Sequence, residues 1–153
     1  MLLHELDEAD VRRVLRHPWA MIGSDGLPAG EGGSPHPRAC GTFPRVLGRY
    51  VRELSLLTLE QAVHKMTGLP ADTFRLARRG VVAPGNFADL VVFDFRRIRD
   101  RASYAQPLRP PTGVAWVYQA GVLVVDGQRY VGNRQGRLLR PRTPGRSVVQ
   151  EEA

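Results

Sequence analysis

Cysteine is nearly absent: Cys40 stands alone in 153 residues, so no internal disulfide can staple the chain and no pair of thiolates offers metal-ligand spacing. Lysine is equally scarce. Lys65 is the sole one, and the formal charge of +7 rests on arginine. The arginines run from Arg12 to Arg146 without an aromatic-interleaved stripe, which weighs against a nucleic-acid partner and for a solvated arginine-rich surface. No apolar run reaches the roughly 18 residues of a bilayer span, so no membrane partner is expected. Met1–Glu5 lacks the basic stretch and apolar core of a signal peptide, and the expectation is a soluble, cytoplasmic protein.

What is present is 42% hydrophobic residues, enough for a real core if the segments pack on one another. Asp7 is placed to cap a helix with Glu8 and Asp10 at its positive end and with Val11, Val14 and Leu15 on one face. Pro18 ends that helix. Trp19–Ser24 is a short apolar run without alternation, as expected for a strand covered on both faces in a parallel sheet, and this puts Asp25 at a strand's C-terminal end. A loop follows, dense in glycine and proline from Gly26 to Pro37; such loops carry sites more often than scaffolding.

Phe43–Leu57 is helical in pattern with a possible break at Gly48. Thr58 and Gln61 form a capping box for a further helix, whose stripe is Leu59, Ala62, Val63 and Met66. His64 is expected in solvent, Met66 in packing, and Cys40 as a small buried hydrophobe. The texture changes after Arg79. Ala88–Asp94, Val114–Tyr118 and Val122–Asp126 are β-branched strand runs, the last two joined by a hairpin at Gln119-Ala120-Gly121. The Arg134–Arg146 stretch, rich in glycine and proline, reads as a terminal tail. One parallel-type strand with helices, then a few strands with open edges, reads as pieces of larger sheets.

Three stretches carry a resemblance. Leu15-Arg16-His17-Pro18-Trp19-Ala20-Met21-Ile22-Gly23-Ser24-Asp25-Gly26, then His36-Pro37-Arg38 and Gly41-Thr42-Phe43-Pro44-Arg45-Val46-Leu47-Gly48, resemble in the same order the end of the N-acyl-D-amino-acid deacylases, or D-aminoacylases, of the amidohydrolase superfamily. Arg79–Asp94 is similar to the C-terminal signature of that superfamily at large. The resemblance covers about Glu8 to Arg140.

It implies an α/β fold: the last strand-helix unit of a (β/α)8 TIM-like barrel within residues 1–79, a share of a small β-sandwich in 80–140, and a tail in 141–153. It implies that Asp25 is catalytic, taking a proton from the attacking water and delivering one to the leaving amine, and that Arg38 grips the substrate α-carboxylate with its planar fork. Asp25 is also a secondary metal-ligand candidate. For His36 a loop-structural role outweighs contact with substrate or metal. The cofactor implied is zinc, in the complete enzyme; the family's His-x-His motif and later ligands are missing here, and His4, His17, His36 and His64 lack the spacing. The expected partners are therefore an N-acyl-D-amino acid substrate and an N-terminal barrel segment or chain. The rival readings are a non-catalytic module that docks on such a chain, and a related amidohydrolase acting on a cyclic amide.

Overall fold

The computed structural model describes residues 7–27 and 34–141; most of the expected tail, and the middle of the glycine-rich loop, lie outside them. Helix α1 (Glu8–Arg16) begins where the Asp7 carboxylate accepts the Ala9 N–H at 2.6 Å, with Glu8 and Asp10 in its first turn and Arg13 and Arg16 in its last. Val11 and Leu15 face the core, whereas Val14 is 60% exposed.

Helix α2 (Arg38–Arg45) contains Pro44, which has no N–H to donate, and the chain continues without interruption as a π-helix over Val46–Glu53. The ladder there widens, so that Leu54 N–H donates to Arg49 O at 2.9 Å. Gly48, expected as a break, lies inside this run. A Cβ there would sit 2.7 Å from Ile98 O, so glycine serves close approach of two backbones, not the end of a helix. Helix α3 (Leu59–Met66) has the anticipated capping box, with Thr58 and Gln61 satisfying each other's backbone N–H groups. Ala62 is fully buried; Val63 is exposed. A short α4 (Gly68–Thr73) follows.

The second half is one open antiparallel sheet in the order β1 (Leu90–Phe93), β2 (Val114–Gln119), β3 (Val122–Asp126), β4 (Arg129–Tyr130). Ala120 (φ 49) and Gly121 (φ 82) turn the β2–β3 hairpin, and both positive φ angles match the right-handed strand twist. Alanine is held there because its N–H donates to Asp89 Oδ1 at 2.8 Å. β4, two residues long, gives too little pattern to be read from sequence.

Helices and sheet share a core. Val46, Leu47, Tyr50 and Val51 of the π-helix, with Leu57 and Ala62, close around Ile98, which is 1% exposed; Phe93 and Val114 of the sheet pack against the same cluster. The Arg52 guanidinium ties the halves by donating to Phe95 O at 2.9 Å and Ile98 O at 2.6 Å. The architecture is thus the partial α/β one expected, a few helices with an open sheet. No helix among the described residues is long and apolar enough to cross a membrane.

One segment departs from expectation. Trp19–Ser24 belongs to no strand, because a strand exists through its ladder and no described segment runs beside this one to complete it. Nor is it covered on both faces. Ala20, Ile22 and Ser24 are half-buried while Trp19, Met21 and Gly23 are exposed, a strand-like alternation with one face against the helices.

Candidate active site

Asp25 ends this extended segment with φ 47, a left-handed conformation that a non-glycine residue adopts at a cost of about 1–2 kcal/mol. Across the loop, α2 begins at Arg38. The two ends of the loop approach closely: a Cβ on Gly26 would lie 3.0 Å from Ala39 Cα. This proximity brings Arg38 onto Asp25 twice. Arg38 Nη2 pairs with Asp25 Oδ2 at 2.9 Å, and Arg38 Nε donates to the Asp25 carbonyl at 2.8 Å. Both side chains remain open to solvent, Asp25 at 71% and Arg38 at 40% exposure.

His36 joins from the other side. Arg38 N–H donates to His36 Nδ1 at 3.1 Å, which makes Nδ1 an acceptor; neutral His36 then carries its proton on Nε2, which faces Tyr104 Oη at 3.3 Å. The two rings meet edge to face, centroids 5.3 Å apart. Tyr104 escaped the sequence reading. It lies on the connection between β1 and β2, and nothing local distinguishes it. Its placement comes from packing: Asp100 and Ala102 lie over Gly41 of α2, and Arg45 pairs with Asp100 at 3.2 Å, which lays the connection along α2. Cys40, on the same helix, is half-buried and a free thiol.

The arrangement offers one carboxylate, one guanidinium and one imidazole on a shared open surface. It can accept a proton at Asp25 and hold an anion at Arg38, whose five donors exceed the two spent on Asp25. It does not fit a metal ion as it stands. Among the described residues no group of three or more His, Cys, Asp and Glu side chains converges, and the Asp25 carboxylate faces a guanidinium cation. A separate depression of about 460 Å³, whose lining includes Arg16, Leu57, Gln61, His64 and the side of Lys65, contains none of Asp25, His36 and Arg38 and no acid.

Residues 4–125 match the amidohydrolase family, and the chain belongs to that family. Within it, the chain is 51% identical over 134 residues to D-aminoacylase and 45% identical over 136 residues to N-acyl-D-aspartate deacylase, both of Alcaligenes xylosoxydans xylosoxydans. These alignments take in 88% and 89% of this chain but 27% of each relative, so the chain spans about a quarter of the length of the relatives it matches. The fold is similar to the crystal structure of D-aminoacylase, described as defining a novel subset of amidohydrolases, with a TM-score of 0.84 and 50% identity over 88% of this chain and 28% of that one. It is similar also to N-acyl-D-glutamate deacylase from Bordetella bronchiseptica, solved with zinc and a phosphonate mimic of the tetrahedral intermediate (TM-score 0.81, 50% identity, 88% of this chain and 28% of that one).

Proposed function

We propose that this chain is the C-terminal part of a zinc-dependent N-acyl-D-amino-acid deacylase, which hydrolyses the amide of an N-acyl-D-amino acid to a carboxylate and a free D-amino acid. Its zinc is held by residues outside this chain, on an N-terminal segment or partner chain that completes the barrel. Of the two units proposed here, residues 1–79 supply the last barrel strand and the site loop, and residues 80–140 a share of the β-sandwich.

The observation that supports this reading most is the meeting of Asp25 and Arg38, 13 residues apart, at one open surface. Asp25 takes a proton from the attacking water and returns one to the leaving amine nitrogen, which would otherwise depart as an unstable anion. Arg38 recognises the α-carboxylate. Its Nε and Nη2 edge is spent on Asp25, and the remaining Nη1 and Nη2 hydrogens can receive a substrate carboxylate beside that pair, so one planar group fixes both the proton carrier and the substrate. His36 and Tyr104 act by bracing the Arg38 backbone.

The test is to put this chain in place of the corresponding 27% of the D-aminoacylase it resembles and to measure amino-acid release from N-acetyl-D- and N-acetyl-L-amino acids with zinc. Release from the D-series is expected. A folded, zinc-loaded chimaera that is inert on every D-substrate, or that cleaves only cyclic amides, overturns the proposal.

A further inference from the structure

Lys65 is the one buried charged residue among those described, at 5% exposure, and it is the chain's only lysine. No carboxylate lies within ion-pair distance of it among the described residues. Its ammonium instead donates to two main-chain carbonyls, that of His17 and, at 3.1 Å, that of Ala20. Its own carbonyl accepts the Ile22 N–H at 3.1 Å. All three bonds therefore land on residues 17–22, the segment that runs into Asp25.

A buried ammonium is costly unless its hydrogens are placed, and burial here pushes its pKa below the usual lysine value. Two features of the segment suit it to that cation. His17 is the C-cap of α1, where the negative end of the helix favours positive charge. The carbonyls also have capacity to spare: each oxygen has two lone pairs, so His17 O accepts the Ala20 N–H at 3.1 Å together with the ammonium, and Ala20 O can take the ammonium beside a main-chain donor. An apolar residue at position 65 would fill the same volume and leave His17 O and Ala20 O without these donors.

We propose that Lys65 is a positioning residue for Asp25: from α3 it pins residues 17–22 on both sides of the turn at Pro18 and so sets where the Asp25 carboxylate meets Arg38. Two residues, Gly23 and Ser24, separate the last pinned residue, Ile22, from Asp25. A shift of the segment is transmitted along extended backbone to the carboxylate, and displacement of a reacting group by about 1 Å is enough to cost on the order of 10²-fold in rate. This inference rests on the function proposed above for Asp25, and its test separates the two.

In the chimaera with D-aminoacylase, kcat and KM are measured for the parent, Lys65→Met, Asp25→Asn and the double variant. If Lys65 acts through Asp25, Lys65→Met lowers kcat by about 10- to 100-fold with KM changed by less than about 2-fold, and adds under about 2-fold once Asp25 is already Asn. Lys65→Arg, which keeps a cationic donor, recovers part of the rate. An equal loss from Lys65→Met in both backgrounds, or no loss at all, overturns the proposal. Hydrogen exchange provides a readout independent of activity: protection at Ile22 and across residues 20–25 falls in Lys65→Met and falls less in Lys65→Arg, which also serves where the methionine variant fails to fold. Unchanged exchange in that segment overturns the proposal even if the enzyme is a deacylase. An Asp25→Asn variant with normal turnover removes the role of Asp25, and with it both this inference and the function it rests on.

Discussion

Asp25→Asn separates chemistry from folding. The Asp25 side chain is 71% exposed and its partner Arg38 40% exposed, a range in which an ion pair contributes roughly 0–1 kcal/mol to stability. Asparagine keeps an acceptor oxygen for Arg38 Nη2, and the carbonyl at position 25 still accepts from Arg38 Nε. It is also among the residues that best tolerate φ 47. Folding stability should therefore fall by less than about 1 kcal/mol. An amide cannot take the water's proton, however, and loss of general acid–base catalysis costs about 10²- to 10⁴-fold, or about 2.7–5.5 kcal/mol of barrier. The assay is a denaturant titration beside kcat, KM and zinc content for the chimaera and its variant. Near-normal turnover with zinc bound would refute the proton-carrier assignment. A stability loss well above about 1 kcal/mol would refute the treatment of Asp25–Arg38 as an exposed pair.

Arg38→Lys keeps the charge and loses the fork, so KM for N-acyl-D-amino acids should rise while zinc content stays unaltered; equal hydrolysis of amides lacking the α-carboxylate by the unmutated enzyme would show the role to be wrong. Gly113→Ala should destabilise the chain by more than about 2 kcal/mol, since φ is 85 and the new Cβ would meet Ile98 N at 2.4 Å beside the core; an unchanged denaturation midpoint would contradict this. The 153-residue chain alone, with added zinc, should release no D-amino acid, because its described residues bring no three ligands together; zinc-dependent turnover by the pure chain would defeat the reading of it as part of a site.

Features set by near neighbours were legible in the sequence. Asp7 capping α1, the Thr58–Gln61 box on α3 and the Ala120-Gly121 hairpin each depend on residues within one turn of each other, so propensity and spacing suffice. Asp25, His36 and Arg38 are marked out as candidates by motif resemblance and loop position; by residue type alone a carboxylate before glycine is more often a turn residue, and an arginine solvated surface. Only the tertiary structure decided how they meet. The pairing of Asp25 with Arg38 follows from contact between the two ends of a loop, and Tyr104 reaches His36 because a distant connection packs on α2. The burial of Lys65 against His17 O and Ala20 O is decided the same way, by where α3 docks. Trp19–Ser24 marks the boundary between the two kinds of information. Its composition makes it extended, but strand identity is a property of neighbours, because backbone N–H and C=O groups are satisfied across a ladder and not along it.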